Sequence, residues 1–138
     1  MREILFRGKF GNEWKCGFLS IEPKGLVIKE PYKNESSNVW HIDADTVGQY
    51  TGLKDENGTK IFEGDILEAD VFKNLNRCKV IWTVEYKERF LQGNGYYFYG
   101  KNRRFNARAT QSTIINTHAT VIGNIYDNLE LLKGENND

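Results

Sequence analysis

The sequence has few of the features that mark membrane, secreted or fibrous proteins. It contains no stretch near the roughly 18–20 apolar residues that a membrane span needs. Its first residues, MREILFRGKF, lack the apolar core of a secretory signal. Only two prolines occur, and no repeat period is visible. We therefore expect a globular, cytoplasmic protein with no membrane partner.

Cysteine is equally scarce. Cys16 and Cys78 are the two cysteines of the chain, and they have no CxxC spacing. Two cysteines cannot build the multi-bridge framework of a small secreted domain. We expect both to be free thiols that are partly buried as small hydrophobic residues.

The sequence also lacks the common catalytic motifs. It has no phosphate-binding loop, hydrolase nucleophile elbow, zincin motif or paired CxxC motif. No nucleophile stands beside an obvious base. We therefore predict that the chain is not an enzyme and that it uses no cofactor.

One short pattern has metal-ligand character. His41, Asp43 and Asp45 alternate along the chain, and alternate residues of an extended strand share a face. A cation could then bind all three side chains. The alternative interpretation is that His41 bonds to a neighbour while the two aspartates cap the turn before Thr46.

Charge is balanced overall but uneven along the chain. Lysine plus arginine and aspartate plus glutamate each number 19, so no long-range field attracts a polyanion. From Gly95 to Tyr126, however, four cationic residues occur without an acid. Guanidinium groups can bind phosphates, and interleaved rings can stack on bases. The predicted nucleic-acid-binding residues, all within 96–108, are Lys101, Arg103, Arg104, Arg108, Tyr97 and Phe105. The alternative is a solvated basic loop that closes on core aromatics.

Period-2 alternation and frequent turn residues predict an all-β fold, with many short strands in a partly closed barrel or sandwich. The predicted strands are Glu3–Gly8, Trp14–Ile21, Leu26–Lys29, Val39–Ile42, Asp65–Val71, Lys79–Tyr86, Tyr96–Tyr99, Thr113–Asn116 and Ala119–Ile125. Four consecutive aromatics in Tyr96–Tyr99 must point to opposite faces, so we expect both faces to be covered. We interpret Phe72–Arg77 as a turn and Asp127–Lys133 as a short C-terminal helix. We expect one domain over 1–133, with a possible subdivision near 31–38, and a polar tail over 134–138.

Three segments carry a resemblance to a known family. They are MREILFRG at the start, VGQYTGLKDENGTKIFEGDI over 47–66, and VIGNIYDN over 121–128. Together they resemble the YopX family of small proteins from phages and prophages of Gram-positive bacteria. The resemblance implies an all-β protein with an SH3-like barrel in a bacterial host cell, and the family has no established enzyme activity, cofactor or catalytic residue.

The residues of these segments have a structural explanation. Asn57-Gly58 suits a hairpin turn between Gly52–Lys54 and Lys60–Phe62, because both residues tolerate positive φ. Asp65 can hold the entry to the next strand by accepting from backbone amides. The residues we assign to this structural motif are Gly52, Asp55, Asn57, Gly58, Gly64, Asp65, Gly123 and Asn124.

Two functions are consistent with these observations. The first is a non-enzymatic interaction module of a phage or prophage that binds a protein partner. Its expected contact sites are the loop Lys33–Asn38 and the arm Lys101–Arg108, and it forms a homo-oligomer if exposed strand edges pair. The second is nucleic-acid binding through the basic, aromatic stretch 96–108.

Overall fold

The computed structural model describes residues 4–30, 38–89 and 93–133, and these confirm the predicted all-β class. The strands form antiparallel sheets whose strand order is open rather than closed into a barrel. The chain divides into two compact units, Met1–Gly52 and Leu53–Asp138. Residues 31–37, near the predicted subdivision, and the tail 134–138 lie outside the described residues. Within the described part of the chain, no helix has the length and hydropathy of a membrane span.

In the first unit, β1 to β4 form an antiparallel meander, and β5 pairs antiparallel with β1 on the side opposite β2. Its strands are β1 (Phe6–Phe10), β2 (Glu13–Glu22), β3 (Gly25–Lys29), β4 (Val39–His41) and β5 (Asp43–Lys54). The sequence predicted only the end of β5, Gly52–Lys54, as one arm of a hairpin, and the first residues of this strand are polar. Its burial then alternates, with Thr46, Gly48 and Tyr50 buried.

The second unit contains a five-stranded antiparallel sheet in the order β10-β9-β8-β7-β11. The strands of the second unit are β6 (Lys60–Phe62), β7 (Asp65–Lys73), β8 (Asn76–Lys87), β9 (Gly95–Tyr99), β10 (Ala107–Arg108) and β11 (Thr120–Asn124). All of them except β6 belong to this five-stranded sheet. A 3-10 helix (Lys101–Arg103) and two α-helices, α1 (Gln111–Thr117) and α2 (Glu130–Lys133), complete the elements of this unit's described residues. The predicted C-terminal helix is therefore present, but it starts later than Asp127.

The five-stranded sheet has two distinct faces. Its core face carries Trp82 and Phe98, which stack with ring centroids 5.0 Å apart and have almost no exposed surface. Its outer face carries Glu85, Tyr97 and Tyr99, because successive residues of a strand point to opposite sides. All four aromatics of Tyr96–Tyr99 are buried. The prediction that both faces of this strand are covered is thus confirmed.

The predicted strand Thr113–Asn116 is wrong, because this segment forms most of helix α1. The β-branched residues Thr113, Ile114 and Ile115 favour a strand locally. The Thr110 side chain instead caps the helix by accepting from the Thr113 amide at 3.1 Å. Ile114 then reaches the core with no exposed surface, so tertiary burial overrides the local preference.

The β7–β8 hairpin is longer than its sequence indicated. The predicted turn Phe72–Arg77 shrinks to Asn74 and Leu75, and the strands pair up to Lys73 with Asn76. Both turn residues have positive φ, 53° and 69°, as a type I′ hairpin turn requires. Leu75 is 95% exposed, so this turn projects an apolar side chain into solvent.

Asp55 holds the turn of the central signature segment together. Its carboxylate accepts from the amides of Asn57 at 2.8 Å and Thr59 at 2.9 Å. It also accepts from the amide of Val121 in β11 at 2.8 Å. Gly58 completes this turn with a φ of 85°. The predicted turn is present, although Gly58 has a positive φ and Asn57 does not, and one buried carboxylate ties the turn to the closing signature segment.

A second junction joins the two signature segments around Gly64. The Gly64 amide donates to the Val84 carbonyl at 2.9 Å, and its carbonyl accepts from the Ile125 amide at 2.9 Å. A Cβ on Gly64 would lie 3.2 Å from the Tyr126 ring, and its φ is 91°. Beside it, Asp65 accepts from the Phe62 amide at 2.8 Å. Close packing and backbone geometry both explain a glycine here.

Gly123 and Asn124 end β11 and hold the tight turn that follows it. A Cβ on Gly123 would approach the Asn128 side chain to 2.6 Å. The Asn124 side chain accepts from the amides of Tyr126 and Asp127, both at 2.9 Å. The motif residues of all these turns therefore have structural roles.

Neither cysteine belongs to a disulfide, as the sequence predicted. Cys78 is half-buried, as expected, but Cys16 on β2 is exposed, so its predicted partial burial is wrong.

Candidate functional site

The candidate site lies on the outer face of the second unit's sheet, where two tyrosines orient two arginines. Tyr97 and Tyr99 are neighbours on this face, with ring centroids 6.2 Å apart. Arg108 donates to the Tyr97 hydroxyl at 2.9 Å, and Arg89 donates to the Tyr99 hydroxyl at 2.7 Å. This second bond raises the pKa of Arg89. The two hydroxyls therefore fix the guanidinium groups over the sheet.

The same guanidinium groups cover the tyrosine rings. Arg89 lies 4.8 Å from the Tyr97 centroid, and Arg108 lies 5.2 Å from it. Arg103 lies 4.3 Å from the Tyr99 centroid. These distances are within the range of cation–π attraction. Three arginines from separate parts of the chain thus converge on two adjacent rings.

Glu85 is the acidic member of this group. Burial opposes its ionisation, but bonds from Lys87, Arg103 and Thr83 outweigh that effect and lower its pKa. Its carboxylate lies 3.2 Å from Lys87 and 3.1 Å from Arg103. Glu85 is therefore ionised at neutral pH and holds Arg103 in place beside Tyr99.

We name this region the arginine–tyrosine surface and define it by Lys87, Arg89, Arg103, Arg108, Tyr97 and Tyr99. It is concave, with adjoining hollows of about 310 Å³ and 440 Å³. Closely held like charges repel one another, and an anion bound between them relieves that repulsion. Guanidinium groups also match the geometry of phosphate oxygens. The surface is therefore suited to binding phosphate groups.

The structure gathers only some of the predicted nucleic-acid-binding residues. Arg103, Arg108 and Tyr97 belong to the arginine–tyrosine surface. Tyr97 is only 8% exposed beneath its arginines, so its ring has no open face for a base. Arg104 lies instead 5.7 Å from the Phe105 ring.

Phe105 itself is 37% exposed. Lys73 lies 5.6 Å from its ring, and the Phe105 carbonyl accepts from the Trp82 indole at 2.9 Å. Arg104, Phe105 and Lys73 thus form a second, smaller basic and aromatic group. The predicted residue Lys101 lines a cavity described below.

The sequence prediction missed Arg89 and Lys87. Lys87 ends β8 two residues after Glu85, and Arg89 follows the strand at the same two-residue spacing. That period was available in the sequence. What brings them to Arg103 and Arg108 is the pairing of β8 with β9, which no local pattern reveals.

An apolar cavity of about 480 Å³ adjoins the arginine–tyrosine surface. Its apolar walls are Ile81 from β8, Ile125 from the closing signature segment, Leu129 just after that segment, and Leu132 from α2. Arg103 and Tyr99 line both this cavity and the smaller hollow of the surface. We call it the outer-face cavity.

The predicted metal ligands are not gathered into a site. Among the described residues, the structure places no three histidine, cysteine, aspartate or glutamate side chains as a metal ion requires. His41 ends β4, whereas Asp43 and Asp45 belong to β5. Asp43 accepts from the Asp45 amide at 3.1 Å, and its carbonyl accepts from the Thr46 hydroxyl at 2.6 Å. These bonds match the turn-capping alternative for Asp43.

Comparison with known proteins identifies the family. Residues 8–133 match the family described as YopX protein. The chain belongs to the YopX family. The crystal structure of protein EF1440 from Enterococcus faecalis is similar, with a TM-score of 0.55 and 25% identity over 96% of this chain and 99% of that chain. No curated protein matches the chain.

Membership in the YopX family agrees with the resemblance that the three signature segments carry. The similarity to EF1440 extends over nearly the full length of both chains. Neither finding assigns a ligand, because a shared fold supports many different functions. The function must therefore be argued from the arginine–tyrosine surface.

Proposed function

We propose that this YopX-family chain is a non-enzymatic binding module for single-stranded nucleic acid. The observation that carries the proposal is the convergence of Arg89, Arg103 and Arg108 over Tyr97 and Tyr99. Arg89 follows β8, Arg103 lies in the 3-10 helix and Arg108 lies in β10, and their side chains meet on one concave face. Two of the three are held by hydroxyl groups at hydrogen-bond distance, so little further ordering is needed on binding.

The buried tyrosines define the mode of binding. With their rings covered by guanidinium groups, they act as supports for the arginines rather than as stacking platforms. The phosphate backbone is then the main contact, and affinity falls steeply with salt because bound counterions are released. The surface is suited to a flexible strand that can follow a small concave face.

The salt dependence of binding tests this proposal. We compare the wild type with the double variant Arg89→Gln/Arg108→Gln, using fluorescence anisotropy of a labelled 12-nucleotide DNA strand. Each lost phosphate contact should reduce the slope of log K against log salt by about one. The double variant should therefore bind weakly and lose about two from that slope.

A matched control is Lys73→Gln/Arg104→Gln, which also removes two positive charges but leaves the arginine–tyrosine surface intact. It should keep the wild-type slope within about half a unit. Equal losses from both pairs would show non-specific attraction to any basic residue. A strand that fails to bind even at low salt would reject the proposed function.

A second candidate function is protein–protein interaction, and the β7–β8 hairpin tip favours it. Leu75 and Phe72 are 95% and 67% exposed, and Leu75 holds a backbone conformation that L side chains rarely adopt. Apolar side chains as exposed as these contribute little to the chain's own core. If the tip mediates self-association, light scattering should give an oligomer for the wild type and a smaller mass for Leu75→Gly.

The biological setting remains a proposal that rests on the family. We propose that the protein acts in the cytoplasm of a bacterial host as a phage or prophage accessory protein. An SH3-like barrel and a homo-oligomer stay predictions. The same light-scattering measurement, at low and moderate salt, determines the oligomeric state.

A further inference from the structure

The outer-face cavity offers apolar surface that the fold itself does not cover. Leu129, one of its walls, is 52% exposed. The volume of about 480 Å³ lies within the range of small-ligand sites. Apolar side chains that line a hollow gain free energy when a ligand displaces water from them. The cavity therefore has the character of a binding pocket.

Its polar groups are few and well defined. Thr83 and Glu85 project into it from β8, and Lys101 and Arg103 line it from the 3-10 helix. Thr83 donates to the Glu85 carboxylate at 3.1 Å. A carboxylate that is ionised at neutral pH only accepts hydrogen bonds. The pocket thus combines apolar walls, one fixed acceptor and two cations.

This combination fits a nucleotide unit better than a purely apolar ligand. The cations can bind a phosphate, and the apolar walls can contact the faces of a planar base. Continuity supports the same occupant, because Arg103 and Tyr99 line both the cavity and the arginine–tyrosine surface. A strand that lies on the surface has one nucleotide next to the cavity.

We propose that the outer-face cavity receives one unstacked base of the bound single strand, and that Glu85 accepts a hydrogen bond from the amino group of that base. This inference rests on the proposed function and names its base preference. Cytosine, adenine and guanine carry an exocyclic amino donor, whereas thymine and uracil do not. The chain should therefore prefer a base with an amino group over thymine or uracil at this position.

Binding of 12-nucleotide oligo-dC and oligo-dT, measured by anisotropy at one salt concentration, tests the preference. We expect oligo-dC to bind roughly fivefold more tightly, as one base contact allows. Oligo-rC and oligo-rU serve as the RNA arm, with the same expected order. Leu132→Trp fills the cavity and should abolish the preference while leaving the salt slope unchanged.

Leu131→Trp provides the matched control, since it adds the same side chain to α2 at a residue that does not line the cavity. It should keep the preference. Glu85→Gln is the second variant, because it keeps the shape of the side chain and replaces the acceptor-only carboxylate. It should reduce the preference even if Leu132→Trp proves unstable by thermal unfolding.

Each remaining outcome is decisive. Equal binding of oligo-dC and oligo-dT by the wild type would overturn the base pocket and leave the proposed function standing. The same holds if Leu132→Trp retains the full preference. Sodium decanoate is a competing ligand with an acyl chain. If it displaces oligo-dC and oligo-dT equally, and the wild type shows no preference between these strands, the cavity binds an acyl chain and not a base. Failure of every strand to bind would overturn both proposals.

Discussion

The two faces of one β-strand show two different ways of burying an aromatic residue. On the core face of β9, Phe98 stacks on Trp82 among apolar neighbours. On the outer face, Tyr97 and Tyr99 are buried almost as well, but beneath arginine side chains. Burial alone therefore does not identify the core.

The difference shows where function can reside. The core face stabilises the fold because it removes apolar area from water, and a charge placed there would be strongly destabilising. The outer face gathers charges over rings, and each contact there is weak in isolation. We therefore expect substitutions on the core face to change stability and those on the outer face mainly to change binding.

The largest expected effect is on the core face. Trp82→Ala removes a ring that is 1% exposed and should lower the free energy of unfolding by about 3–5 kcal/mol. Urea denaturation measures this change. Trp82→Phe should lower the free energy of unfolding by less, because a ring still fills most of the space. It loses only the hydrogen bond from the indole to the Phe105 carbonyl and part of the packing. A loss below about 1 kcal/mol for the alanine variant would contradict this account of the core.

At the hairpin tip, beyond both faces, the expected effect has the opposite sign. Leu75→Gly should raise the free energy of unfolding by about 1–2 kcal/mol, because an L side chain is costly in the left-handed region. The same urea experiment applies. Asn74→Gly is the control and should raise the free energy of unfolding by less than Leu75→Gly, since asparagine tolerates this conformation. Destabilisation by Leu75→Gly would mean that Leu75 makes stabilising contacts.

The outer face should respond more weakly. Tyr97→Phe removes a hydroxyl that donates to the Gly93 carbonyl at 3.0 Å and accepts from Arg108 at 2.9 Å. The ring remains, so the free energy of unfolding should fall by only about 0.5–1.5 kcal/mol. Affinity for single-stranded DNA should fall as well, because Arg108 is no longer fixed. A loss as large as that of Trp82→Ala would erase the contrast between the faces.

The smallest effect is a pH dependence. The pKa of Glu85 is lowered in the folded protein, so its contribution to stability is present at neutral pH and is lost as pH falls through that pKa. Glu85→Gln should therefore cost about 0.2–1 kcal/mol at pH 7, as exposed ion pairs do. Thermal unfolding should show this difference shrink below about pH 4. A gap that widened on acidification would refute the assigned sign.

Sequence patterns predicted most of the fold because alternation and turn residues act locally. The hairpin at Asn57-Gly58 and the burial of Tyr96–Tyr99 follow from backbone rules of a few residues. Helix α1 did not follow, since the burial of Ile114 depends on the assembled sheet. Of the candidate site, Arg103 and Arg108 were predictable from charge. Arg89 was not recognised, because only strand pairing brings it to Tyr99.

The hydrogen bond between Asp55 and the amide of Val121 spans 66 residues. During synthesis, Asp55 leaves the ribosome well before Val121 does. Until then its carboxylate lacks one of the donors that compensate its burial. The second unit therefore cannot complete its native turn before the closing signature segment emerges. Strands β1 to β4 of the first unit, by contrast, have all their sheet partners once Gly52 has been made, so we expect the two units to fold in order from the ribosome.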